Sequence, residues 1–294
     1  MLLKGRISIW DFVRTIKSDL LTITVFSIIV GLIATGHYFN GLEIPLALIA
    51  IIGTAISLLL AFRTAQSYDR WWEARIVWGA IVNDSRTLIR QVQQFLPAAE
   101  ATEVRNFAER QIIWNYALSE SLRKLPFSER VQQYTTEQEI RDSNVPNGLL
   151  SRHSAQLRRL SEEGKLTEFR QVQLDQTLVR LCDAMGKCER IKNTVFPASY
   201  GTLIHFLIYV FALLLPFSLD DDYAMIKALL TAGIPMIFIV IERTAILMQD
   251  PFENRPLDTP MTTISQTIEV NLRQQIGEEV RPPAPPSGDA YYIL

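Results

Sequence analysis

Few side chains in this sequence are placed for covalent or metal chemistry. The three histidines, His37, His153 and His205, are scattered, and the two cysteines, Cys182 and Cys188, have no C-x-x-C spacing. Their separation corresponds to about 600° of helical rotation, which puts the thiols on different helix faces. Neither a zinc site nor a disulfide is expected, and both cysteines read as buried thiols. The chain contains no G-x-x-x-x-G-K-[ST], no dinucleotide fingerprint, no H-E-x-x-H and no G-x-S-x-G. The common phosphate, metalloprotease and serine-nucleophile chemistries are therefore not in view. No enzyme activity, cofactor or metal is expected. What remains is electrostatic. In GTAISLLLAFRTAQSYDRWWEAR, residues 53–75, Asp69 and Glu73 are like charges at i, i+4, which repel on an isolated helix. Arg63, Arg70 and Arg75 crowd the same stretch with Tyr68, Trp71 and Trp72. Such density needs partners on other helices or other subunits.

Just before this charge, Thr54, Leu58 and Phe62 share one helical stripe that Gln66 continues. In a ring of such helices the stripe would form stacked apolar rings, which gate by excluding water. On a single helix it would simply pack against a neighbour. Arg63 lies next to the stripe and would attract anions. Asp220, Asp221 and Asp222 would do the opposite. That acidic run either concentrates cations at an outer mouth or caps a turn that faces solvent. The single His205 reads as a packing residue rather than a ligand.

The elements that must position these residues are membrane helices. Hydrophobic residues make up 48% of the 294, and they concentrate in blocks at 20–36, 44–62, 200–219 and 224–249. The first two blocks carry no charge. The third has only His205 besides tyrosine, and the fourth has Lys227 near one end and Glu242–Arg243 near the other. About 20 apolar residues of helix cross a bilayer core, so four spans are expected rather than four core helices of a soluble protein. The first block starts late and lacks an A-x-A site, unlike a cleaved signal. The connectors 37–43 and 220–223 carry acids and no Lys or Arg, whereas Lys4, Arg6, Arg14 and Lys17 precede the first span. The positive-inside rule then puts both termini and residues 63–199 in the cytoplasm.

No sustained period-2 alternation and no internal repeat is present, so the fold class is all-α. Residues 1–63 hold a surface helix (6–19) and spans one and two. Residues 64–199 form a cytoplasmic helical region, 200–249 hold spans three and four, 250–280 form a cytoplasmic segment, and 281–294 a Pro-rich flexible tail. Within these, 77–96, 100–125, 147–166, 168–196 and 264–276 have helical periodicity. Pro126 ends the second of these. Asn144, Pro146 and Asn147–Gly148 read as a turn, and Pro235 as a kink in span four.

Three stretches carry a resemblance to a known family. LLAFRTAQSYDRWWEARIVWGAIVNDSR resembles the second-span signature of bestrophins, in particular their bacterial homologues. CERIKNTVFPASYGTLIHFLIYVFALLLPFSL is similar to the family's approach to span three, and MQDPFENRPLDTP to the segment after span four. The resemblance covers most of residues 6–280. It implies a homopentameric ion channel with four spans per subunit, a large helical cytoplasmic region and a single central pore. Span two would line a neck of three apolar rings, which fall here on Thr54, Leu58 and Phe62. A cytoplasmic aperture would fall on Val172. Thr54 departs from the larger apolar residue usual at its position, so a wetter outer ring is expected. Animal members bind calcium at an acidic cluster after span four. Here Arg255 and Pro256 stand where acids would be needed, and calcium requires several oxygen ligands. Calcium gating of that type is not expected.

The implied partners are four further copies of the chain, the lipid bilayer of a bacterial inner membrane and small monovalent ions, with no nucleic acid. Animal members pass anions and bacterial relatives can prefer cations. The acidic run 220–222 tilts the expectation to cations, with chloride as the alternative. Two rival readings stand beside the channel. A secondary transporter would show inverted repeats and broken helices, of which Pro235 is the only trace. A membrane-anchored scaffold would use the RPPAPPSG linker and AYYIL tail to hold a partner.

Overall fold

The computed structural model describes residues 9–34, 43–194, 196–219, 224–255 and 257–280. Among these residues the regular structure is entirely helical: α1 Ile9–Ala34, α2 Leu46–Phe95, α3 Ala101–Leu122, α4 Glu129–Glu137, α5 Val145–Glu162, α6 Glu168–Asn193, α7 Ala198–Leu214, α8 Ala224–Gln249 and α9 Met261–Gln275. Four segments contain helices long and apolar enough to cross a bilayer: Val13–Ala34, Leu46–Phe95, Glu168–Ser218 and Met225–Gln249. They are the four blocks expected. The tail 281–294 and the acidic run Asp220, Asp221 and Asp222 lie outside the described residues.

The chain forms two compact units. Among the described residues the apolar unit comprises 9–34, 43–71, 196–219 and 224–250. In it α1 packs on α7 and α8, and α7 packs on α8. Its core joins Ile23 of α1, Ile56 and Leu60 of α2, Ile204 and Ile208 of α7 and Ile239 of α8. Gly53 lets α2 come close to α7, since a Cβ there would lie 3.2 Å from the Phe211 ring. The outside of this unit is also apolar. Leu21 and Leu32 on α1 and Met225 and Leu229 on α8 are 66–84% exposed. A soluble protein seldom leaves such a surface to water, but hydrocarbon solvates it. The hydroxyls of Thr22, Thr24, Thr54, Ser57, Thr64, Thr202 and Thr244 each donate to the carbonyl one turn earlier. A hydroxyl in lipid needs such an internal acceptor.

Among the described residues the charged unit comprises 72–194, 251–255 and 257–280. Its core is built on Trp78, Leu88, Phe107, Trp114, Leu181 and Ile268 with their neighbours. Helix α3 is the hub and contacts α4, α5, α6 and α9. An ion network fastens α9 to it. Glu269 accepts hydrogen bonds from the Tyr116 hydroxyl at 2.8 Å, from Arg130 at 2.8 Å and from Arg273 at 2.9 Å. Arg273 also reaches Glu109 at 3.0 Å.

Several local expectations are corrected. No separate surface helix precedes span one, because α1 runs unbroken through residues 9–34. Helix α3 stops at Leu122, before Pro126, and Lys124 takes a positive φ of 55° in the turn that follows. Asn144 and Pro146 open a helix rather than close a turn. The Asn144 side chain accepts from the Asn147 amide at 3.2 Å, and proline stands in the first turn of α5. A capping asparagine followed by proline is favourable helix-start chemistry. Cys188 is buried, but Cys182 is exposed.

Glu269 generates a prediction. Burial raises its pKa, but the hydrogen bonds from Arg130, Arg273 and Tyr116 outweigh burial and hold it at about 2. A carboxyl depressed in this way stabilises the fold above its unfolded value, about 4.3, and that stability is lost as pH falls towards the folded value. Denaturant unfolding of the detergent-solubilised protein should therefore show stability declining from about pH 4 to pH 2. Glu269→Gln should lower stability at pH 7 by about 2 kcal/mol and flatten that acid decline.

Candidate functional site

In the apolar unit, α2 presents two opposed faces. Ile49, Ile56, Leu60, Arg63 and Ser67 lie on one side of the helix and are buried. Thr54, Leu58 and Phe62 lie on the other and are exposed. Leu58 is 71% exposed and Phe62 54%. At 100° per residue, positions 54, 58 and 62 fall within about 80° of one another and advance one turn at each step. The sequence stripe is therefore a free surface of the apolar unit and not the face that packs. The Thr54 hydroxyl donates to the Ala50 carbonyl at 2.8 Å. The Phe62 ring rests beside Tyr200 of α7, with centroids 6.1 Å apart. Tyr200 in turn donates its hydroxyl to the Leu59 carbonyl at 3.3 Å.

The opposite face carries a buried charge cluster. Arg63 Nη1 donates to Glu242 Oε1 at 3.0 Å, and both side chains are less than a tenth exposed. His205 Nδ1 lies 3.1 Å from Glu242 Oε2. The Arg63 guanidinium also sits over the Phe196 ring at 5.4 Å. Gly201 leaves space for it, since a Cβ there would stand 3.4 Å from both terminal nitrogens. Beside it Arg243 pairs with Asp19. A cavity of about 620 Å³ opens onto this cluster, lined by Arg63, Phe196, His205, Glu242, Arg243 and Ile246 among others. About two turns further along α2, Arg70 donates to the Gln249 carbonyl at 3.1 Å.

The remaining expected positions are less closely tied. Val172 belongs to the charged unit, on an exposed face of α6 that also carries Val179; the two are 56% and 51% exposed. In the segment after α8, Glu253 pairs with Arg255, and Asp258 accepts from the Arg255 amide at 2.9 Å. Among the described residues no group of three or more His, Cys, Asp or Glu could hold a metal ion.

Residues 3–274 match the family profile described as Bacterial/Fungal Bestrophin protein. The chain belongs to the bestrophin family. It is 32% identical over 295 residues to the voltage-dependent anion channel-forming protein YneE of Escherichia coli K12, with 98% of this chain and 96% of that protein covered. It is 30% identical over 259 residues to the voltage-dependent anion channel-forming protein RSc3414 of Ralstonia nicotianae, covering 85% and 84% of the two chains. The crystal structure of a bacterial bestrophin homologue from Klebsiella pneumoniae aligns with a TM-score of 0.82 at 28% identity, over 90% of this chain and all of that one.

In this bestrophin the stripe is contiguous on one helix, whereas the cluster behind it joins three spans. Arg63 was expected to face the same space as the stripe. It points the other way, and Glu242 neutralises it. His205 does more than fill space, because it holds the second oxygen of Glu242. A sequence signal existed. Arg63, His205 and Glu242 are three titratable residues, one on each of three spans, and a charge at membrane depth usually has a partner.

The pair predicts its own mutational signature. Removing one member of a buried ion pair leaves the other unpaired, whereas replacing both with apolar groups is often nearly neutral. Arg63→Met should destabilise the detergent-solubilised protein by about 3 kcal/mol. The double variant Arg63→Met/Glu242→Met should recover most of that loss, as measured by thermal unfolding.

Proposed function

We propose that this bestrophin is an ion channel whose pore neck is formed by Thr54, Leu58 and Phe62 of five copies arranged about a common axis. One observation carries the reading: these three side chains are exposed on a helix whose opposite face is fully packed. Rings of apolar side chains repel water and so set a barrier that depends on ring size. The relatives YneE and RSc3414 are named as voltage-dependent anion channel-forming proteins, which supports the same class. The chain is read as a multi-pass protein of a bacterial inner membrane with cytoplasmic termini, on the distribution of its bases. Val172, exposed on α6, is the proposed cytoplasmic aperture.

The neck itself is uncharged, and Arg63 offers it no positive field, since it is buried on the far face and paired. The proposal is small monovalent ions, with a preference for cations that rests on the acidic run 220–222 of the sequence. The anion reading has its own support in the names of the relatives, and reversal potentials separate the two. Planar-bilayer recordings under a salt gradient should show stepwise currents. Leu58→Ala and Phe62→Ala should widen the neck and raise single-channel conductance, while Leu21→Ala, on an exposed face of α1, should leave it unchanged. Equal conductance in all four proteins would remove the neck from α2.

A further inference from the structure

Asp69 and Glu43 are two exposed acids of the apolar unit without an ion-pair partner among the described residues, and Asp69 is the one that lies within α2. Glu242 is held by Arg63 and His205, and Asp19 by Arg243. Asp69 is exposed, and no described residue pairs with its carboxylate. The bases close to it in sequence are engaged elsewhere: Arg63 is paired on the opposite face, and Arg70 donates to the Gln249 carbonyl. The sequence alone suggested that the repulsion between Asp69 and Glu73 would be relieved by partners for both. Within one chain, among the described residues, Glu73 has such a partner, Arg190 at 2.6 Å, while a partner from another subunit was the other expectation.

Its position on α2 gives this free charge a direction. Asp69 lies seven residues after Phe62, so it is about 10 Å further along the helix and only about 20° short of two full turns. Its azimuth falls between those of Leu58 and Phe62. The same exposed face therefore carries apolar side chains at three levels and then a carboxylate. We propose that Asp69 is the residue that sets the charge preference of the channel. Five copies would form a ring of carboxylates just past the cytoplasmic end of the neck. This rests on the reading of α2 as the pore-lining helix, and it names the residue behind the preference for cations.

The chemistry is electrostatic enrichment. A ring of negative charge in a narrow vestibule raises the local concentration of cations and depletes anions. The neck then passes whatever is offered to it. Such a field is screened over ~30 Å at 0.01 M salt and ~3 Å at 1 M. The preference must therefore fade as salt rises, which a selectivity filter that strips and coordinates the ion would not require.

The test is the reversal potential of the full-length protein in planar bilayers under a KCl gradient, for wild type, Asp69→Asn, Asp69→Glu, Asp69→Lys and Leu58→Ala. Wild type should prefer potassium, more strongly in dilute than in concentrated salt. Asp69→Asn should lower the potassium-to-chloride permeability ratio at least about threefold in dilute salt. Asp69→Glu should keep the wild-type ratio, and Asp69→Lys should favour chloride. A ratio that ignores salt in the wild type overturns the proposal without recourse to any variant. Unchanged reversal potentials in the Asp69 variants, with conductance altered by Leu58→Ala, overturn it while leaving the neck on α2. If Leu58→Ala also changes nothing, the reading of α2 fails, and this proposal fails with it. An Asp69→Asn assembly that dissociates in detergent while its surviving channels keep the wild-type ratio would make Asp69 an inter-subunit ion-pair partner, and so overturn it too.

Discussion

The ion pair between Arg63 and Glu242 decides which way α2 faces. A helix in an apolar environment can turn about its own axis at little cost when its sides are all aliphatic. A buried charge removes that freedom, because an unpaired guanidinium in a low-dielectric surrounding is far more costly than a poorly packed leucine. With Arg63 held against Glu242, and Glu242 braced by His205, only one azimuth of α2 is open. Thr54, Leu58, Phe62 and Asp69 are then turned away from the packed helices as a consequence. Gly53 and Gly201 serve the same end by letting Phe211 and the guanidinium approach closely. The free face is thus specified by what happens on the opposite one.

The charged unit solves a different problem with similar means. Its helices are polar on their outer sides, so α9 is fixed by a network as well as by the apolar contacts of Ile268 and Leu272. Glu269, Arg130, Arg273, Glu109 and Tyr116 share their hydrogen bonds so that no carboxylate oxygen of Glu269 lacks a donor. A network of this kind stabilises more than isolated surface pairs do, because each partner is already held in place by another.

Much of this was readable from residue order. The spans are legible because nothing but a bilayer, or a very large core, asks for about 20 uncharged residues in a row. The stripe on α2 is legible because its members are only four residues apart, and local spacing fixes azimuth. The Arg63–Glu242 contact was not, because its partners are 179 residues apart and one sequence carries no record of who meets whom. Asn144 and Pro146 were misread for a chemical reason: the same side chains that favour turns also cap helices, and only the hydrogen bond to the Asn147 amide tells the two apart. Cys182 was misread because helical spacing separates two faces without saying which of them is inside.

Thr54 shows how a local hydrogen bond can change the meaning of a residue. Its hydroxyl proton is engaged by the Ala50 carbonyl, as is common for threonine in membrane helices. The oxygen keeps its lone pairs and has no proton left to offer. In the assembly proposed above, the outermost ring of the neck would then be a collar of electron donors. A passing potassium ion could exchange part of its water shell for such oxygens, whereas a chloride ion, which needs hydrogen atoms pointed at it, would find none. The substitution of threonine for a larger apolar residue would in that case alter more than wetness: it would give the entrance a polarity of the same sign as the carboxylates below.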